Sequence, residues 1–221
     1  MPRTARIVIP DIPHHITQRG NNRQDVFFVD DDRRVYLSLL KEQSQKFGLE
    51  ILGWCLMTNH IHLIARPTNE ESLAKAVGRT HLRYTQYINR FHKRCGHLWQ
   101  NRFYSCPLGR EHFWQALLYV EQNPVRAKLA RRAWQYPWSS SKAHVDKADP
   151  DELLDMAYWK KISARFDWKN GLQRVQTKEQ INLIQRNTHT GRPLASDAFI
   201  SKLEKLFNKR IRPLPIGRPK K

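Results

Sequence analysis

Two strand-length apolar runs, EILGWCLM (50–57) and HIHLIAR (60–66), are separated by only two residues, Thr58 and Asn59. A parallel neighbour would need a crossover of a dozen or more residues, so a link this short forces the two runs into an antiparallel hairpin. Residues 14–19 (HHITQR) read as an earlier strand. It runs into turn chemistry at Arg19-Gly20-Asn21-Asn22-Arg23, where Gly and Asn tolerate positive φ. Asp30, Asp31 and Asp32 offer an N-cap and first-turn acids to a helix carrying Val35, Leu39, Leu40 and Phe47, with Gly48 as its C-cap. Leu73, Ala76, Val77, Leu82, Tyr84, Tyr87, Ile88 and Phe91 mark a second helix over 70–94. HLWQNRFYSC (97–106) alternates like a strand, and a further helix is predicted over 111–129, interrupted by Pro124.

The order is strand, helix, strand, strand, helix, strand, helix. It predicts an α+β fold: a ferredoxin-like (split βαβ) antiparallel sheet with helices on one face. The hairpin strand with the two histidines is expected at its centre, its polar face bare or covered only by the last helix. Composition shifts after YPWSSS (136–141), so a first domain is assigned to 1–145 and a helical C-terminal extension to 146–208, with helices at 151–168, 178–187 and 197–208. Residues 209–221 hold six basic and no acidic residues and read as a flexible basic tail.

Charge narrows the partner. There are 39 Lys and Arg against 20 Asp and Glu, a formal net charge of +19, which points to a polyanion, with nucleic acid first among them. The longest strongly apolar run, ILGWCLM, is far short of a membrane span, and the basic start has no apolar core or cleavage site of a secretory leader. Three cysteines, Cys55, Cys95 and Cys106, without paired spacing suit a reducing compartment better than a disulfide framework.

Within the hairpin, His60 and His62 stand at i and i+2 and so face the same side of the strand. Such a pair offers a divalent metal two of its ligands; alone it is a weak signal. YVEQNPVRA (119–127) strengthens it. Tyr119 and Asn123 are four residues apart on a helix and share one face. A phenol next to an amide, presented to a two-histidine metal, supplies a nucleophile and a third ligand for attack on phosphorus.

NHIHLI (59–64), YVEQNPVRA, GHLWQNRF (96–103), YPWSS (136–140) and ITQRGNNRQDVFF (16–28) together resemble the REP-associated tyrosine transposases, a bacterial branch of the single-tyrosine HUH transposases. The resemblance spans roughly residues 5–145; the GRPL and GRPKK elements near the C-terminus are far less diagnostic. It implies that His60 and His62 are the paired metal ligands and Tyr119 the catalytic tyrosine. Asn123 matches the third, polar ligand, with neighbouring Gln122 as the alternative. It implies magnesium or manganese as cofactor, and single-stranded DNA hairpins of repetitive extragenic palindromes as partner. The activity implied is a metal-dependent endonuclease and strand transferase working through a 5′-phosphotyrosine. A bacterial cytoplasmic, nucleoid-associated protein follows, monomeric in this branch, although shorter relatives are dimers.

DNA contacts are expected from Arg19, Asn21, Asn22 and Arg23 in the first loop, and from Arg79, Arg83 and Arg90 along one helix. Trp99, Gln100 and Arg102 on the fourth strand and Arg126 after the tyrosine join them. Two other readings compete. One is a domesticated protein that grips hairpins without cutting, against which the intact His60, His62, Tyr119 and Asn123 argue. The other is a zinc protein built on His92, Cys95, His97 and Cys106, whose spacing matches no usual zinc module.

Overall fold

The computed structural model describes residues 6–208 and 210–212. Its strands are β1 (His14–Arg19), β2 (Leu49–Met57), β3 (His60–Pro67) and β4 (Tyr104–Pro107). The helices of the first part are α1 (Asp30–Phe47), α2 (Ser72–Phe91), α3 (Arg110–Glu121), α4 (Asn123–Arg126) and α5 (Ser141–Asp146). The extension adds α6 (Met156–Ser163), α7 (Trp168–Gly171), α8 (Lys178–Thr190) and α9 (Asp197–Leu206).

One four-stranded sheet runs in the order β2-β3-β1-β4, with every pairing antiparallel. β3 is inserted between β1 and β2, which α1 links, and so occupies an inner position as expected. Thr58 and Asn59 make the β2–β3 turn. Gly48 ends α1 at φ 62°, the left-handed conformation that a C-cap glycine adopts without strain.

Alternation sorts the strand residues onto two faces. Ile16, Trp54, Leu56, Ile61, Leu63 and Ala65 pack against Tyr36, Leu40, Leu73, Val77, Tyr84 and Ile88 of α1 and α2. The connecting helices thus share one face. The opposite face is covered too, which differs from a sheet with helices on one side only. Cys55, Met57, Ile64 and Cys106 are apolar there and pack under Phe113, Leu117 and Val120 of α3 and Trp159, Trp168 and Ile184 of the extension. Gly53 lets α3 approach: a Cβ there would lie 2.4 Å from Leu117 Cδ1.

Two local expectations are corrected, and one helix is new. The strand predicted over 97–106 begins only at Tyr104. Before it, Trp99 turns inward to stack on His81, and Asn101 takes φ 96°, outside the strand region. The helix expected over 151–168 is shorter and split, α7 starting anew where the Asp167 carboxylate accepts from the Asn170 N–H. α5 was not anticipated.

Residues 146–208 pack against the sheet: Leu154 bridges to Ile51 beside β2, and the α8 residue Ile184 is fully buried. Of the basic tail, only 210–212 are described. Ile211 is buried with Ile9 and Leu203, and Arg212 pairs with Glu204. The rest of that tail lies outside the described residues. Among the described residues no helix is long and apolar enough to cross a membrane.

Candidate active site

The β1–β3 register sets Thr17 opposite His62 and Arg19 opposite His60, so one patch of the second face gathers His15, Thr17, Arg19, His60 and His62. The His60 and His62 rings lie 5.1 Å apart, centroid to centroid, edge to face. α3 crosses above them and brings the Tyr119 ring to 5.5 Å from His62 and 5.7 Å from His15, edge-on to both. Three elements distant in sequence thus converge on one patch, with the tyrosine edge-on to His62 and His15.

Each imidazole is held by a neighbour. Asn59 Nδ2 donates to the Arg23 carbonyl (3.0 Å), which leaves its Oδ1 facing His60 Nδ1 at 2.6 Å. An amide oxygen only accepts, so His60 carries its proton on Nδ1 and keeps a lone pair on Nε2. His62 Nδ1 lies 2.9 Å from His15 Nε2, and His15 Nδ1 lies 2.7 Å from Thr188 Oγ1 of α8. Burial, with Arg19 adding to it, lowers His60 to about 4, and burial alone lowers His15 to about 3. His62 is held well below the ordinary imidazole value by burial, then by the surrounding His60, His15, Arg126 and Arg19. All three rings are neutral at physiological pH, the form that can ligate a metal.

Tyr119 is 5 % exposed, and its hydroxyl accepts from Gln185 Nε2 of α8 at 3.3 Å. The Arg126 guanidinium lies 4.3 Å over the Tyr119 ring and donates to the Tyr119 carbonyl. Arg126 Nη1 and Asn123 Nδ2 are both buried without a hydrogen-bond partner. Gln122 points elsewhere: its Nε2 donates to the carbonyls of Leu172 (2.9 Å) and Arg174 (2.7 Å) in the extension.

The expected DNA contacts separate into groups. Arg19, Asn22 and Arg23 are exposed beside the His60 edge, with Asn21 half-buried. Gln100 and Arg102 are exposed in the loop before β4, on the rim of an open cleft that also holds Arg6, His189 and Arg192. Trp99 is 9 % exposed and stacked on His81 at 4.5 Å, a ring already in use by the core. Arg79, Arg83 and Arg90 are exposed on α2, across the sheet from the histidines, and Arg83 pairs with Glu42 at 2.5 Å. The zinc grouping does not assemble. His92 bonds Asp32 (3.0 Å), Cys95 is exposed, and the buried Cys106 thiol is pushed up to about 12 by desolvation. Among the described residues no three His, Cys, Asp or Glu side chains are grouped to hold a metal.

Sequence reasoning missed His15, Asn59, Glu121, Gln185 and Thr188. His15 had a readable signal, being two and four residues from Thr17 and Arg19 on the same face of β1. Glu121, inside YVEQNPVRA, is fully buried. Its Oε1 accepts from Ser140 Oγ (2.5 Å) and His144 Nδ1 (2.6 Å), and its Oε2 from Trp168 Nε1 (2.8 Å).

The model of the family described as "Transposase IS200 like" matches residues 9–123, just over half of the chain. The chain belongs to the IS200-like transposase family. This transposase shares its fold with a solved REP-associated tyrosine transposase bound to a REP hairpin. The two are 16 % identical, with a TM-score of 0.58 over 69 % of this chain and 90 % of that one. A protein of Deinococcus radiodurans R1 described as a transposase is 19 % identical, with a TM-score of 0.39 over 55 % of this chain and 97 % of its own. No curated protein matches the transposase.

Proposed function

We propose that this transposase is a metal-dependent single-strand DNA endonuclease and strand transferase of the REP-associated branch, acting on palindromic hairpins. The observation that carries this reading is the convergence of His60, His62 and Tyr119, from two separate elements, on one face of the sheet. Membership of a transposase family and the excess of basic residues support the choice of DNA as substrate.

The donor set fits a divalent cation. His60 offers a free Nε2 lone pair, and His62 stands beside it; Asn123 would add its side-chain oxygen, while its unpaired Nδ2 is a donor that suits a phosphate oxygen rather than a cation. Gln122 is committed to the extension, which favours Asn123 as the amide ligand. Bound magnesium or manganese would supply Lewis-acid charge at the scissile phosphate. The chain itself orients the nucleophile. The Arg126 guanidinium over its ring holds Tyr119 in place. Gln185 must yield its hydrogen bond as the oxygen turns to the phosphate. The Tyr119 oxygen then bonds to phosphorus as its proton passes to solvent, the bond to the 3′ oxygen breaks, and that oxygen takes up a proton from solvent. The same 3′-hydroxyl, or another, reverses the step and rejoins strands. Arg19 and Arg23, exposed beside His60, would grip the DNA backbone.

The test is incubation of the full chain with magnesium or manganese and labelled single-stranded hairpins, followed by denaturing electrophoresis. The reading expects a protein–DNA adduct that disappears in Tyr119→Phe. Retention of hairpins with no adduct in either metal would instead establish the non-cleaving binding protein.

A further inference from the structure

We propose that His15 and Thr188 are positioning residues that lock His62 in the tautomer with its proton on Nδ1 and its lone pair on Nε2, so that the C-terminal extension completes the metal site. This rests on His62 being a metal ligand, as in the proposed function.

The argument starts at the far end of a hydrogen-bond chain. Thr188 Oγ1 lies 2.8 Å from the Ile184 carbonyl oxygen, one helical turn back. A carbonyl only accepts, so the single hydroxyl proton of Thr188 goes there. Thr188 Oγ1 must then accept from His15 Nδ1 at 2.7 Å. A neutral imidazole has one N–H, so His15 Nε2 is an acceptor, and the proton on the 2.9 Å contact belongs to His62 Nδ1. The opposite chain would set Thr188 Oγ1 and the Ile184 oxygen 2.8 Å apart with no proton between them. The His15 and His62 rings lie 7° from parallel with centroids 5.1 Å apart, the coplanar edge-to-edge arrangement that an in-plane N–H···N bond requires, and both side chains are buried. Asn59 does for His60 what His15 does for His62, and both rings present Nε2. The two supports differ in origin. Asn59 adjoins its histidine, whereas Thr188 stands 173 residues after His15.

Such outer partners fix ring orientation and raise ligand basicity, and their loss costs about 10- to 100-fold in metal affinity. The test uses full-length protein, wild type beside Thr188→Val and Thr188→Ser. Valine keeps the volume and removes the acceptor, and serine restores it; thermal unfolding confirms that each variant is folded. Long-range ¹⁵N spectra of the metal-free proteins read the tautomers, and manganese titration followed by electron paramagnetic resonance reads affinity. His62 protonated on Nδ1 in wild type and Thr188→Ser, mixed in Thr188→Val, with manganese affinity about tenfold weaker only in Thr188→Val, supports the relay. A wild-type His62 protonated on Nε2, or a valine variant unchanged in both readouts, overturns it. The expected tautomers without manganese binding in any protein would keep the relay and count against the metal-dependent function instead.

Discussion

The two sides of the tyrosine helix are built to opposite rules. On the rear, Glu121 is fully buried, and three donors, from the YPWSS segment, α5 and α7, satisfy it. On the front, Tyr119 has one long bond to Gln185, while Asn123 Nδ2 and Arg126 Nη1 have no partner. A buried polar group left unpaired costs about 1–3 kcal/mol, which a packed chain tolerates where an outside ligand completes the set. The rear stabilises the fold and fixes where the helix lies, and the front leaves polar side chains unpaired, as the proposed substrate site requires.

The largest effect should separate the two. Tyr119→Phe is expected to remove the DNA adduct entirely while changing stability by less than about 1 kcal/mol, because only one long hydrogen bond, that from Gln185, is lost. Glu121→Ala should do the reverse. It strands three buried donors and should destabilise by about 3–5 kcal/mol in urea unfolding. A Glu121→Ala protein as stable as wild type would break the comparison.

A smaller effect comes from imidazoles on neither side. His14 is lowered to about 4 mainly by burial, and His81 to about 3 by burial. Both keep their protons off in the folded state while the unfolded chain, with ordinary imidazoles, takes them up as pH falls through about 6.5. The unfolded state then binds more protons, so stability falls with falling pH from about 6.5 down to the folded values. Each should cost roughly 2 kcal/mol between pH 7 and pH 5. Unfolding curves at the two pH values measure this, and His81→Gln should remove its share. A flat profile would contradict it.

The smallest contrast is in DNA affinity. Arg19, exposed and in register with His60, should weaken hairpin binding when replaced by Ala and lower the salt slope by about 0.7. Arg83→Ala, across the sheet and paired with Glu42, should change both less. Equal losses in fluorescence anisotropy would place DNA on both faces.

What could be read from the residues was local or patterned. The two-residue link forced the β2–β3 hairpin, and apolar periodicity with Gly48 delimited α1. His60 and His62 could be paired because strand spacing puts them on one face; the spacing of Tyr119 and Asn123 reads as one helix face, whereas the structure divides them between α3 and α4. What escaped depends on contacts between distant segments. Nothing in GHLWQNRF says that Trp99 will turn inward onto His81, which ends the strand pattern there. Glu121 looks like any helix acid until Ser140, His144 and Trp168 close around it. Thr188 lies in a polar helix whose role exists only once that helix covers β1.

The bond between His15 and Thr188 also has a consequence in time. A chain emerging from the ribosome holds both sheet histidines and Tyr119 well before residue 188 is made. Until residue 188 is made and α8 docks, His15 lacks its Thr188 partner, so the proposed relay to His62 forms later in synthesis than the sheet and the tyrosine helix.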